Sequence, residues 1–489
     1  MTLAAIPQTC LSIILSFGEL GDHAACARVC RAFRVAAALK TSSPASIRLA
    51  FGNRDQLAAH PLLQPRRLQV GSAGTLIPID NIDTKFRHLT ALEGLELGLV
   101  LKDTDLSLAI GGSRGTLRSL AISVSWHHDV CIRSLRPFTR LTALSISHMA
   151  LFEAGHLPAT LTSLCVDRLR DRDWGLDRVR ADEQREIDRA GWADLMRLPL
   201  VRLALRNADL ETWHLADLAA RMPQLGELEC SQYVDETASA AQSLVRLTGL
   251  HALSCGVDAW STPTALSLAS SLRRLSVRCR MRKGPRLLDF CWLLGSLGQL
   301  TALDVSRCPV TQDFLTQLLG DSKLRGLAEL VIGCSGMANT LVHSLAPLSV
   351  LTALRSLDCR NCSSLISRQP LMPGGAKSPV RCDLPRLPAL HSLCVSGTSL
   401  HASDIAATYP GLEHLSIDTL DMDMARLANL REIRIDYSGN GAPLQSWLMA
   451  MAASNPLLRL LTFPGYANVG PDVRRALADR GVRMVEHAD

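Results

Sequence analysis

Residues 351–365 read LTALRSLDCRNCSSL. Leu354, Leu357 and Cys359 form an LxxLxL unit, with Cys362 three residues later and Leu365 three beyond that. The last three positions of the unit read as a short strand. Side chains alternate along a strand, so Leu357 and Cys359 face one way and Asp358 the other. The unit recurs. Leu300, Leu303 and Val305 precede Cys308; Leu200, Leu203 and Leu205 precede Ala208; Leu390, Leu393 and Val395 precede Thr398. The middle anchors are Leu95, Leu120, Leu144, Leu164, Leu203, Leu228, Leu253, Leu275, Leu303, Leu330, Leu357, Leu393, Leu415 and Ile433. Most intervals fall between about 20 and 28 residues. There are about 14 clear copies, and about 16 with the weaker ones at Leu68–Val70 and near Leu458–Phe463.

A single such turn cannot bury its own leucines, but a stack of turns can. This pattern resembles the leucine-rich-repeat family over roughly residues 60–465. The resemblance implies an α/β solenoid, horseshoe-shaped, with a strand in every turn. Cys230, Cys255, Cys359 and Cys362 then stand at core positions, so the CxxC of Cys359 and Cys362 reads as packing rather than as a metal or redox site. The cluster His127, His128, Asp129 and Cys131 reads as an exposed loop between repeats, with a metal site as the alternative. No Walker A loop, nucleotide-binding GxGxxG or GxSxG elbow is present. No catalytic residue, metal site or cofactor is expected.

The middle residue of each LxL strand and the residue two further on face out of the core. They give a lining that includes Glu96, Ser145, Arg206, Glu229, Ser254, Arg278, Asp304, Ser306, Asp358, Arg360, Ser416, Asp418, Arg434 and Asp436. A polar lining of this kind suits a protein partner better than a lipid, which wants an apolar pocket. Arg206, Arg278 and Arg360, with Asp304 and Asp358, are the candidate target-binding residues. Such arginines suit an acidic or phosphorylated segment; ordinary solvated charges are the plainer reading.

The whole chain has 489 residues, 52 Lys and Arg against 46 Asp and Glu, and a formal net charge of +6. It is 47% hydrophobic and 20% charged, which excludes wholesale disorder. Aromatics are 4%, too few for the stacking surface of a single-strand nucleic-acid binder, so no nucleic acid is expected as a partner. No apolar run reaches the roughly 18–20 residues of a membrane helix, so no membrane association is expected either. Two segments break the period. Residues 167–192 interleave both charge signs and read as a solvated excursion or a lateral contact, and residues 366–386 read as a Pro/Gly-rich loop.

The first forty residues differ. Ile6-Pro7, Ile14-Leu15, Ser16-Phe17 and Val29-Cys30-Arg31-Ala32-Phe33-Arg34 sit on what reads as three short helices, with Leu11, Ile14 and Leu15 on one face. About forty residues make a poor core alone, so this apolar surface needs a partner. The segment resembles an F-box, although Cys10, Gly18, His23 and Phe33 depart from the usual residues. F-box followed by repeats is the order of the F-box/leucine-rich-repeat family. The resemblance implies residues 1–40 as F-box, 41–60 as linker, 61–465 as repeats and 466–489 as a C-terminal cap. It further implies a substrate receptor of a cullin–RING ubiquitin ligase. Ile6, Pro7, Leu11, Ile14, Leu15, Phe17, Val29, Cys30 and Phe33 would bind a Skp-type adaptor, and the repeats would hold a target protein. The alternatives are a protein-binding repeat scaffold whose first forty residues are only a helical cap, and an enzyme hidden in the insertions.

The 15 cysteines are odd in number and follow no disulfide framework, which points to a reducing compartment, cytoplasmic or nuclear. Mass analysis under non-reducing conditions is expected to find free thiols. Several native disulfides would place the chain outside such a compartment.

Overall fold

The structure is a computed structural model. It describes residues 46–49, 66–70, 89–98, 110–123, 135–170, 189–210, 212–233, 246–256, 271–278, 297–308, 310–320, 323–333, 344–362, 384–398, 402–418, 427–436, 443–464 and 469–487, with single positions 291, 294, 342, 365 and 400. The F-box-like segment 6–34, the cluster at 127–131 and the central parts of both insertions, 171–188 and 366–383, lie outside the described residues. The chain divides into two compact units, Met1–Ser231 and Gln232–Asp489.

In the first unit the strands are β1 (Ser46–Leu49), β2 (Arg67–Val70), β3 (Gly94–Gly98), β4 (Ser119–Ser123), β5 (Ala143–Ala150), β6 (Ser163–Arg170), β7 (Arg202–Leu210) and β8 (Glu227–Tyr233), whose last residues cross the division. From β1 to β7 each pairs in parallel with the next. The register aligns Leu68, Leu95, Leu120, Leu144, Leu164 and Leu203.

The second unit has β9 (Ala252–Gly256), β10 (Arg274–Arg278), β11 (Ala302–Arg307), β12 (Glu329–Val331), β13 (Ser356–Asp358), β14 (Ser392–Cys394), β15 (His414–Ile417), β16 (Glu432–Ile435), β17 (Leu460–Pro464) and β18 (Arg483–His487). All pair in parallel in chain order. Here the register aligns Leu253, Leu275, Leu303, Leu330, Leu357, Leu393, Leu415, Ile433 and Leu461. Every one of these anchors is at most 3% exposed. Parallel strands, one per repeat and with stacked leucines, make this a leucine-rich-repeat fold.

A second contact sets where each strand begins. Arg118 N–H and Ser119 N–H both donate to the Glu93 carbonyl, at 2.8 and 3.0 Å, and Thr142 and Ala143 both donate to the Arg118 carbonyl. The same fork repeats through the second unit: Thr301 and Ala302 on Arg273, His391 and Ser392 on Arg355, Arg459 and Leu460 on Arg431. Thus the carbonyl ahead of most of the described strands receives two donors from the next repeat.

Past the strand, the small-residue position has its own polar bond. The Cys308 thiol donates to the Val277 carbonyl at 3.4 Å and the Cys362 thiol to the Ile332 carbonyl at 3.8 Å, both in the preceding repeat. These are weak donors, but they occupy a buried carbonyl. Thr398 instead bonds within its own turn, to the Val395 carbonyl at 2.6 Å. The turn after β14 needs Gly397, at φ +74, because a side chain there would run into Asn361.

The return segments vary. They are helical at α1 (Thr212–Arg221), α2 (Gln312–Gly320), α3 (Ala402–Thr408), α4 (Pro443–Ser454) and α5 (Pro471–Asp479), and short 3-10 turns at Gly111–Ser113, Leu151–His156, Leu324–Gly326 and Ala346–Val350. In α2 the Thr311 hydroxyl accepts from Phe314 N–H at 3.2 Å, capping the helix, while Phe314, Leu315, Leu318 and Leu319 are buried.

The structure departs from the sequence reading in four places. The linker 41–60 contains β1, whose Ile47 and Leu49 pair opposite Leu68 and Val70. The charged excursion starts late, because residues 167–170 complete β6 and His148, Met149 and Ala150 pair with Arg168, Leu169 and Arg170. It also ends early: Trp192, inside the expected excursion, is a core residue of the next repeat. Finally, the C-terminal segment 466–489 is not only a cap. It contributes α5 and β18, and β18 continues the ladder beside β17.

Leu330 is 1% exposed between Leu303 and Leu357. Leu330→Ala is expected to cost about 2–5 kcal/mol of stability. Thermal unfolding monitored by circular dichroism checks this, with exposed Thr139→Ala expected to move the midpoint little.

Candidate functional site

The outward face of the strands is where side chains remain for function, since the inward positions are core. In the first unit, Arg206 on β7 lies between two carboxylates. Its Nη1 donates to Asp167 Oδ1 at 3.1 Å and its Nε to Glu229 Oε2 at 3.5 Å. Arg202 pairs with Glu227 at 3.3 Å. Between these arginines and Arg67 with Glu96 lies a depression of about 500 Å³, floored by small residues such as Ser119, Ala121, Ala143, Ser145, Ser163 and Cys165. Burial pushes the Cys165 thiol up, against the pull of Arg206. At neutral pH this sulfur is therefore a protonated, poor nucleophile.

The outward groups of the second unit are bonded to one another. Asp304 on β11 accepts from the Ser276 hydroxyl at 3.0 Å and from Ser306 N–H at 2.9 Å. Asp358 on β13 accepts from the Arg360 guanidinium, Nη2 at 2.8 Å and Nε at 3.0 Å, and from Arg360 N–H. That bonding with Asp358, outweighing partial burial, holds the Arg360 proton more tightly than usual.

Further along, Asp436 gathers the Ser396 hydroxyl, the Ser416 hydroxyl at 2.9 Å and the Arg434 guanidinium. The two hydroxyls also touch each other at 2.9 Å, and Ser396 is buried. Asp418 accepts from Gly397 N–H. Burial acts to raise both carboxyls. In Asp436 the donated hydrogen bonds outweigh it and the group sits below the usual carboxylate range. In Asp418 burial prevails, with the Asp436 charge adding to it, and the group sits above that range. A smaller depression of about 200 Å³ lies beside this network, lined by Ser392, Cys394, His414, Ser416, Arg434 and Thr462 among others. Burial raises the Cys394 thiol there too.

Of the target-binding candidates, Arg206 belongs to the first unit and Arg278, Asp304, Asp358 and Arg360 to the second. Arg206 and Arg360 are each neutralised by neighbouring carboxylates, so neither presents an unbalanced positive charge. Arg278 ends β10 opposite Arg307; its side chain lies outside the described residues. The adaptor-binding candidates Ile6 to Phe33 lie outside them as well.

Sequence reading passed over Cys165 and Cys394, although alternation alone puts both outward, between Leu164 and Val166 and between Leu393 and Val395. It also missed the hydroxyl pair on Asp436. Among the described residues no group of three or more His, Cys, Asp and Glu side chains is placed to hold a metal ion, and no helix is long and apolar enough to cross a membrane.

No known family profile matches the chain, and no curated protein matches it. Solved structures do. An internalin from Listeria monocytogenes is 13% identical over 100% of both chains, with a TM-score of 0.29. A chain of the mouse RP105/MD-1 complex is 12% identical, covering 88% of this chain and 84% of its own, with a TM-score of 0.34. A chain of the yeast Rad7–Elc1 complex is 13% identical, covering 73% and 84%, with a TM-score of 0.37. At such scores these likenesses say nothing about function.

The Asp436 network predicts an acid-labile contribution. A carboxyl whose folded pKa is depressed stabilises the fold above its unfolded pKa, and that stabilisation is lost as pH falls through the folded value. Asp436→Asn should lower the unfolding midpoint at pH 7, and the deficit should shrink as pH is taken below the ordinary aspartate range. Melting curves from pH 7 to pH 2 test this; a deficit that stays the same at the acid end of that range would refute the assignment.

Proposed function

We propose that this chain is the substrate-recognition subunit of a cullin–RING ubiquitin ligase, with residues 1–40 binding a Skp-type adaptor and the repeat ladder holding a target protein. The observation that supports this reading is an order. The F-box-like run Val29-Cys30-Arg31-Ala32-Phe33-Arg34 stands directly ahead of a strand ladder with a polar outward face. An open face of that kind suits a macromolecular partner, because small ligands are bound in concave, mostly apolar pockets.

In this role the chain carries out no bond chemistry. It holds a target near the charged ubiquitin carrier, and the gain is one of effective concentration. The thiols on the face fit that role, since burial keeps Cys165 and Cys394 protonated. The working compartment in this reading is the cytoplasm or nucleus.

Adaptor binding would concentrate in a few apolar anchors. Ile14→Glu together with Leu15→Glu is expected to abolish capture of a purified Skp-type adaptor, while the circular dichroism melt of the repeats stays unchanged. If the unmodified chain also fails to bind the adaptor, the ligase reading falls and a repeat scaffold with an N-terminal helical cap replaces it.

A further inference from the structure

We infer that the N-terminal rim of the strand ladder in the second unit is a docking surface for an extended, Glu/Asp-rich segment of a partner protein. The inference rests on the reading of the ladder as a protein-binding platform, and it assigns the binding charge to residues other than Arg206, Arg278 and Arg360.

The rim is formed by the residues just before and at the start of each strand. In the second unit it carries Arg273, Arg274, Arg355, Arg431, Arg459 and Arg483, all exposed. Their backbones are fully engaged. The carbonyls of Arg273, Arg355, Arg431 and Arg459 accept from the next repeat, and the N–H groups of Arg273, Arg274, Arg355, Arg431, Arg459 and Arg483 donate to the previous one. The structural task of this column is thus done by main chain, which any residue except proline could supply. Its side chains are left free of it, and arginine recurs there.

These guanidiniums also differ from those deeper on the face. Arg360 and Arg434 are held by Asp358 and Asp436. On the rim, Arg431 pairs with Glu413 at 3.4 Å, and Arg273 donates to Gln299. Arg274, Arg355, Arg459 and Arg483 have no carboxylate partner among the described residues. The other rim carboxylates are Glu432, which pairs with His414 at 3.1 Å, and Glu329. Positive charge therefore predominates along this edge, with His251 and His391 adding to it when protonated.

The spacing suits an extended chain. Adjacent strands lie about 4.8 Å apart, so the eight steps from β10 to β18 span about 38 Å. An extended segment covers about 3.3 Å per residue, and about twelve residues would run the length of the rim. Each guanidinium can donate two parallel hydrogen bonds to one carboxylate, and that gain has to exceed the cost of ordering an exposed side chain.

The test uses the full chain and a fluorescently labelled dodecaglutamate peptide, read by anisotropy at low and at moderate salt. Binding is expected that weakens as salt rises and falls about tenfold in the Arg355→Glu/Arg459→Glu double variant, a change of about 1.4 kcal/mol. Arg475→Glu, on the exposed side of α5, should leave it unchanged. The double variant should also melt like the unmodified chain, because only the rim backbone serves the fold; if it does not, Arg355→Gln/Arg459→Gln carries the same comparison. Absence of salt-dependent binding, or equal loss in Arg475→Glu, would overturn the proposal. Tighter binding of a single-stranded DNA of equal length would overturn it in favour of nucleic acid. Adaptor capture is measured on the same variants. Peptide binding without adaptor capture removes the ligase reading and keeps this surface, and adaptor capture without peptide binding does the reverse.

Discussion

Ahead of most of the described strands a carbonyl oxygen receives two N–H groups from the following repeat, and most of the fold follows from that fork. It fixes where the next strand begins. With the start fixed, Leu303 lies opposite Leu275 and Leu330, and the period-two alternation carries every inward side chain into the same stack. Burying one such leucine is worth about 1.5–3 kcal/mol, but only if the neighbouring turns arrive in register. The fork and the leucine stack depend on each other, and neither could form in one repeat alone.

This explains which parts of the fold can be read from residues. An anchor such as Leu144 must be apolar because a polar group there would lose water without gaining a partner, so it leaves a mark in the sequence. The fork is made by backbone and leaves none: Glu93, Arg118, Thr142 and Thr162 all occupy it. Strand length is also backbone-determined. β5 and β6 continue to Ala150 and Arg170 through polar and charged residues, so the charge pattern from residue 167 looks like a departure from the repeat while the ladder is still running. The first strand is hidden for a related reason, since Ile47 and Leu49 alternate without the LxxL that precedes other strands.

The face was legible in direction but not in charge. Alternation alone places Arg206, Asp304, Asp358, Arg434 and Asp436 outward, and they are outward. Their charge depends on neighbours one or two strands away, and that distance in sequence is irregular. Asp167 is 39 residues from Arg206, and Ser396 is 40 from Asp436. Arg360 meets Asp358 two residues away, yet both look like independent lining residues until their side chains are seen to close on each other. A list of outward arginines therefore overstates the positive potential of the face.

These pairings also limit how the face can gain binding energy. A partner that engages Arg206 must either displace Asp167 and Glu229 or bind alongside them. Displacement leaves carboxylates to be resolvated, and binding alongside meets a charge already balanced, so the net gain of either is small. The Ser396, Ser416 and Asp436 cluster is more constrained still, because its hydroxyls already donate to the carboxylate and one of the serines is buried. Such groups hold the face in shape. Attraction for a partner has to come from groups that no neighbour has satisfied, and in a ladder those lie where the backbone alone does the structural task.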